Sequence, residues 1–167
     1  MKKLRYGILL AVLLASIGVW LWLLWLESTY DPPYCKIENG LYIGRATDEP
    51  PPGTEAVVNL CGQEDRYKVA HYHWAPVFES GKEPDLKWLR QAVDFIRTHR
   101  RAKRIVFVHC LAGMNRSGAV MVAYLMDKNG WRREKALAYV QTKRPQVQPN
   151  PILMRLLAEW EQAVSNE

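Results

Sequence analysis

The stretch Ile105-Val106-Phe107-Val108-His109-Cys110-Leu111-Ala112-Gly113-Met114-Asn115-Arg116-Ser117 decides the reading of this chain. Its first four residues are β-branched or aromatic and predict a buried parallel strand over 105–109. After Ser117, the run Gly118-Ala119-Val120-Met121-Val122-Ala123-Tyr124-Leu125-Met126 is apolar and predicts a buried helix over 116–128, stopped by Asn129-Gly130. A strand, a tight loop and a helix start therefore follow one another. In that geometry the backbone N–H groups of residues 111–116 and the positive end of the helix converge on one point, where a dianion binds, with Cys110 beneath it.

Each residue type answers a chemical need. A thiol becomes a nucleophile only when ionised, and the groups that cradle an anion also stabilise a thiolate. The planar fork of Arg116 suits two oxygens of a transferring phosphoryl group better than a lysine point charge would. Gly113 permits a sharp bend where the backbone approaches the ligand. Ser117 can donate to the sulfur and make it a better leaving group, and His109 is expected to order the loop. The phosphate-binding set is thus Leu111, Ala112, Gly113, Met114, Asn115 and Arg116.

The motif resembles the signature loop of the cysteine-dependent dual-specificity protein phosphatases, within the protein tyrosine phosphatase superfamily. Gly40-Leu41-Tyr42-Ile43-Gly44, Ala56-Val57-Val58-Asn59-Leu60-Cys61, Tyr72-His73-Trp74-Ala75-Pro76-Val77, Lys143-Arg144-Pro145 and Pro149-Asn150-Pro151 are similar to further segments of that family. The likeness runs from about residue 34 to the end of the chain. It implies hydrolysis of phosphomonoesters, phosphotyrosine or phosphoserine/threonine of proteins, through a phosphocysteine, with no metal and no cofactor. The alternative substrate is a phospholipid or other small phosphate at a membrane. Low-molecular-weight phosphatases carry a similar loop near the start of the domain, and its position here argues against them.

The chain departs from the family at the general acid, where an Asp is usual about thirty residues before the nucleophile. Here Glu79 stands 31 residues upstream of Cys110. Glu79 is the first candidate, Asp85 the competitor, although it reads as a helix cap, and a site without a dedicated acid is the third reading. The resemblance also places the strands ending at Cys61 and Cys110 side by side. Cys61 then becomes a candidate redox partner of Cys110, or else a small buried apolar residue.

The fold class implied is α/β, a mixed, mainly parallel sheet flanked by helices and preceded by one transmembrane helix. Strands are expected near 41–43, 56–60, 71–77 and 105–109, and helices near 85–99, 116–128, 132–143 and 150–164. In the last helix Asn150 is the cap, Pro151 lies in the first turn, and Ile152, Leu153, Leu156, Leu157 and Trp160 form a core stripe.

The first thirty residues are of another kind. Lys2, Lys3 and Arg5 precede an uncharged apolar run over 6–26, 21 residues long, enough to span a bilayer as a helix. Trp20, Trp22 and Trp25 crowd the place where a signal peptide would be cut, which favours an uncleaved anchor. The expected organisation is an anchor over 1–27, a linker over 28–36 and a catalytic domain over 37–167. The charge bias predicts a cytoplasmic N-terminus and a catalytic domain on the opposite face. The 167-residue chain has a formal net charge of +6. Its basic run at Arg97, Arg100, Arg101, Lys103 and Arg104 precedes the nucleophile strand and reads as a solvated face, so no nucleic-acid partner is expected. His71 and His73 share a strand with no third ligand, so no metal is assigned. The oligomeric state is not readable from the sequence.

Overall fold

The computed structural model of the chain describes residues 13–23, 31–78 and 81–165. Two compact units are present, Met1–Pro32 and Pro33–Glu167.

In the first unit, residues 13–23 are helical and their side chains are exposed. Among the described residues no helix is long and apolar enough to cross a membrane. Of the transmembrane helix expected over 6–26, residues 13–23 are helical, and the rest of that run lies outside the described residues.

The second unit is built on five strands, β1 (Tyr34–Glu38), β2 (Leu41–Arg45), β3 (Ala56–Asn59), β4 (His71–Trp74) and β5 (Val106–Cys110), in the spatial order β1-β2-β5-β3-β4. β2, β5, β3 and β4 are mutually parallel, and β1 runs antiparallel to β2. This is the mixed, mainly parallel sheet expected. β5, the central strand, is buried along its whole length, as a strand with neighbours on both edges should be.

β1 occupies residues that the sequence reading assigned largely to a linker. The overlooked signal is Asn39-Gly40, a two-residue hairpin connection between Glu38 and its partner Leu41, with Gly40 at φ +73°. β4 stops at Trp74, three residues before the expected end, because Pro76 has no N–H to extend a ladder. Only Ala75 N still reaches across, to Asn59 O.

Four helices follow, α1 (Leu86–Arg101), α2 (Arg116–Asn129), α3 (Arg133–Lys143) and α4 (Pro151–Ser165). α2 packs on β5 and β2 and touches α1, α3 and α4. This central position explains why Ala119 through Met126 are buried without a polar face. α1 is amphipathic: Leu89, Val93 and Ile96 recur at helical spacing and are fully buried, and Asp85 Oδ1 accepts from Trp88 N at 2.7 Å to cap it. In α4 the expected cap is present, Asn150 Oδ1 accepting from Leu153 N at 2.9 Å, and Leu153, Leu156, Leu157 and Trp160 enter the core. The basic run lies at the end of α1, where positive charge complements the helix dipole. There Arg97 pairs with Asp94 and Asp127, and Arg100 binds the carbonyls of Asn39 and Arg104.

Candidate active site

β5 ends at Cys110, residues 111–115 form the loop, and Arg116 opens α2. The loop holds its shape because its carbonyls are tied from outside. Ala46 N donates to Cys110 O at 2.8 Å and Leu111 O at 3.3 Å, and Gln148 N donates to Met114 O at 3.1 Å. Arg144, only 1% exposed, donates from Nε to Gly113 O at 2.9 Å and from a terminal nitrogen to Ala112 O at 3.3 Å. In a planar trans peptide the N–H points opposite to the carbonyl before it. Five carbonyls held outward thus turn the N–H groups of residues 111–115 toward the inside of the loop, the arrangement an anion needs.

Two further features close the loop. Gly113 sits at φ +70°, and a Cβ there would come within 2.5 Å of the Gly44 carbonyl carbon and 2.6 Å of Arg45 N. Backbone packs on backbone at this point, so no side chain fits. Asn115 makes no side-chain cap bond to α2; its Oδ1 instead accepts from Asn150 N at 2.7 Å. The first-turn N–H groups of α2 therefore keep no side-chain cap of their own.

Cys110 is 2% exposed, with its Sγ 3.2 Å from Ser117 Oγ. Burial pushes its thiol up. The Ser117 hydroxyl and N–H, the Arg116 charge and the Gly113 N–H outweigh that effect and hold the thiol below its ordinary range. Arg116 is buried and donates from one terminal nitrogen to Leu60 O at 2.7 Å and Val77 O at 3.4 Å. These carbonyls lie just past β3 and β4, so the sheet edge fixes the guanidinium plane beside the thiol.

His109, fully buried, stacks on Phe107 at 5.0 Å. Its Nε2 is 2.9 Å from Asp65 Oδ2 and 3.5 Å from Tyr67 Oη, and its Nδ1 is 3.8 Å from Cys61 Sγ. Tyr72 Oη donates to Asp65 Oδ2 at 3.1 Å and accepts from Asn59 Nδ2 at 2.7 Å. Burial, reinforced by the neighbouring Asp65 carboxylate, pushes the Tyr67 phenol far above its ordinary range, so it stays protonated. This polar cluster behind Cys110 was not anticipated. Its signal was Asn59, an amide in the otherwise apolar strand Ala56-Val57-Val58, fully buried and therefore in need of partners.

The other expected residues are placed as follows. Glu79 lies outside the described residues. Asp85 is exposed and engaged as the cap of α1. Cys61 is buried against His109, and no disulfide joins any of the three cysteines.

A strand, an inward-facing N–H loop and a helix, with a cysteine at the strand end whose thiol is held below its ordinary range, define a cysteine-dependent phosphatase domain. The family profile of the dual specificity phosphatase catalytic domain matches residues 52–163, and the chain belongs to that family. It is 34% identical over 109 residues to human dual specificity protein phosphatase 16, covering 65% of this chain and 16% of that protein. The chain thus spans about a sixth of the length of this curated relative. The crystal structure of a mouse dual specificity phosphatase complexed with zinc tungstate superposes with a TM-score of 0.73 at 27% identity, covering 83% of this chain and 92% of that one. PTPMT1, crystallised in complex with PI(5)P, shares the fold with a TM-score of 0.71 at 20% identity, covering 81% and 98% of the two chains.

Proposed function

We propose that this chain hydrolyses phosphomonoesters of proteins, phosphotyrosine or phosphoserine/threonine, through a phosphocysteine on Cys110. The observation that carries the reading is the lowered thiol of Cys110, enclosed by the Ser117 hydroxyl, Arg116 and a loop whose N–H groups face inward. The thiolate attacks phosphorus, and the loop N–H groups and Arg116 take the charge that develops on the phosphoryl oxygens. The leaving oxygen receives a proton from a general acid, for which Glu79 is our assignment. Asp85 is the weaker candidate because its carboxylate already serves as a cap. Water then attacks the phosphocysteine, and Ser117 donates to the departing sulfur. His109 holds the strand end in register with the loop through Asp65 and is a positioning residue.

We further propose that the apolar run over 6–26 anchors the chain in a membrane. Retention of the full chain in the pellet after alkaline carbonate extraction supports the anchor, and release into the supernatant rejects it. The competing substrate class is a phospholipid, which the fold shared with the PI(5)P-bound PTPMT1 keeps in view.

The deciding experiment sets full-length chain in detergent micelles against a phosphopeptide panel and a phospholipid panel. Preference for phosphopeptides by about 10² or more in kcat/KM supports the protein-phosphatase reading, and the reverse order supports the lipid one. Cys110→Ser should abolish turnover on both while keeping phosphate binding. Turnover that survives in this variant would sink the mechanism.

A further inference from the structure

A cavity of about 790 Å³ opens beside the loop and shares Leu111 with it. Its walls carry three carboxylates, Asp48, Glu64 and Asp65, against one cation, Arg66. This balance runs opposite to the +6 of the whole chain. Asp65 is committed to His109 and Tyr72, but Asp48 and Glu64 are exposed, and no cation among the described residues pairs with either. The turn carrying Asp48 is held by Thr47, whose Oγ1 bonds both the N–H and the carbonyl of Glu49. Trp74 lines the same cavity, 42% exposed, with its indole Nε1 fixed on Cys61 O at 2.9 Å.

Carboxylates beside a fixed aromatic face are the chemistry that recognises a guanidinium or an ammonium. We propose that this cavity is a subsite for a cationic side chain next to the phosphorylated residue, so that the enzyme prefers singly phosphorylated peptides flanked by Arg or Lys. The proposal rests on the phosphatase reading of the loop and names its substrate class. A substrate whose phosphate enters the loop must lay its neighbouring groups along Leu111. An Arg there finds Trp74 and two uncompensated carboxylates, whereas an acidic residue or a second phosphate meets like charge.

The test measures kcat/KM of the full-length chain in detergent micelles with phosphotyrosine peptides that differ only in Arg or Glu at the two positions flanking phosphotyrosine. A phosphoinositide carrying several phosphates and p-nitrophenyl phosphate are run beside them. The Arg peptide should exceed the Glu peptide by about tenfold or more at low salt, and the ratio should shrink as ionic strength rises. Asp48→Lys combined with Glu64→Lys should collapse or invert that ratio. Glu159→Lys, the same kind of charge change on α4, should leave it intact. Because the readout is a ratio between substrates, partial unfolding of a variant does not disturb it. Equal rates, a preference for the Glu peptide, or better turnover of the polyphosphorylated lipid overturns the subsite while p-nitrophenyl phosphate hydrolysis still upholds the phosphatase reading. Absence of all hydrolysis, p-nitrophenyl phosphate included, overturns both.

Discussion

Arg144 Nε stands 2.9 Å from the carbonyl oxygen of Gly113, joining the segment after α3 to the tightest point of the anion loop across 31 positions of sequence. The guanidinium is buried and donates to two carbonyls of the loop, those of Gly113 and Ala112. Its effect on an anion is indirect: by holding carbonyls outward it keeps N–H groups inward. Two arginines thus divide the labour, Arg116 beside the thiol and Arg144 behind the loop.

Replacing Arg144 by Ala should strip the buried Gly113 carbonyl and the part-buried Ala112 carbonyl of a donor. Each unmet buried acceptor costs about 1–3 kcal/mol, so the thermal midpoint should fall by several degrees and affinity for vanadate should drop. Arg144→Lys should recover little, since one ammonium cannot reproduce the fork. Calorimetry and vanadate inhibition measure the two effects; a variant with unchanged vanadate affinity would remove Arg144 from the shaping of the loop.

Gly113→Ala should cost more in activity than in expression. The substitution meets both a positive φ and a backbone contact under 3 Å, so the loop must distort while the sheet remains. A folded protein with kcat/KM reduced by at least about tenfold is expected.

The Cys110 thiolate should react with iodoacetate along a pH titration whose midpoint lies below the ordinary thiol value of 9.0. Deprotonation generates the reactive form, so the rate rises with pH and levels off above that midpoint. Ser117→Ala removes the leading stabilising contact and should move the midpoint upward. A midpoint that does not move assigns the stabilisation to the remaining N–H groups and Arg116.

Glu79→Gln should reduce kcat by roughly 10² to 10⁴ on a phosphoserine peptide and far less on p-nitrophenyl phosphate, whose leaving group needs no proton. Asp85→Asn keeps a side-chain oxygen to accept from Trp88 N and should leave both stability and kcat little changed. Should the Asp85 variant instead show the leaving-group pattern, the acid is Asp85.

His73 and His99 both have their pKa lowered by burial, and His99 is lowered further by His71 and Arg104. Below the ordinary histidine value of 6.5 the unfolded chain therefore binds more protons than the folded one, and stability should fall as pH drops from about 7 to about 5. His73 Nε2 is buried without a hydrogen-bond partner among the described residues, and its ring stacks on Phe95 at 5.4 Å. His73→Phe keeps the stack and removes its share of the titration, so the urea midpoint should fall less steeply across that window, with His99 keeping the remainder. An unchanged slope would place the acid sensitivity elsewhere.

The amino-acid sequence by itself determined the parts that local chemistry dictates. The apolar run of β5, the Cys-to-Arg spacing, the helix caps at Asp85 and Asn150 and the stripe of α4 are written in neighbouring residues, because a strand, a loop and a helix start are each closed within a few positions. The hairpin of β1 was legible too, in Asn39-Gly40, but its short strand offers little periodicity. Only the tertiary structure decided which distant side chains serve the site. Arg144, Asp65, Tyr67 and Tyr72 carry no local signature, since nothing in their immediate sequence says that a carbonyl or an imidazole will need them. Asn59 hinted at the cluster through its burial in an apolar strand, yet its partners come from a segment folded back alongside it. The same folding brings Asp48, Glu64 and Trp74 to one cavity from three separate segments. Charge and aromatic content are properties of the sequence, but a recognition surface exists only once packing has put them together.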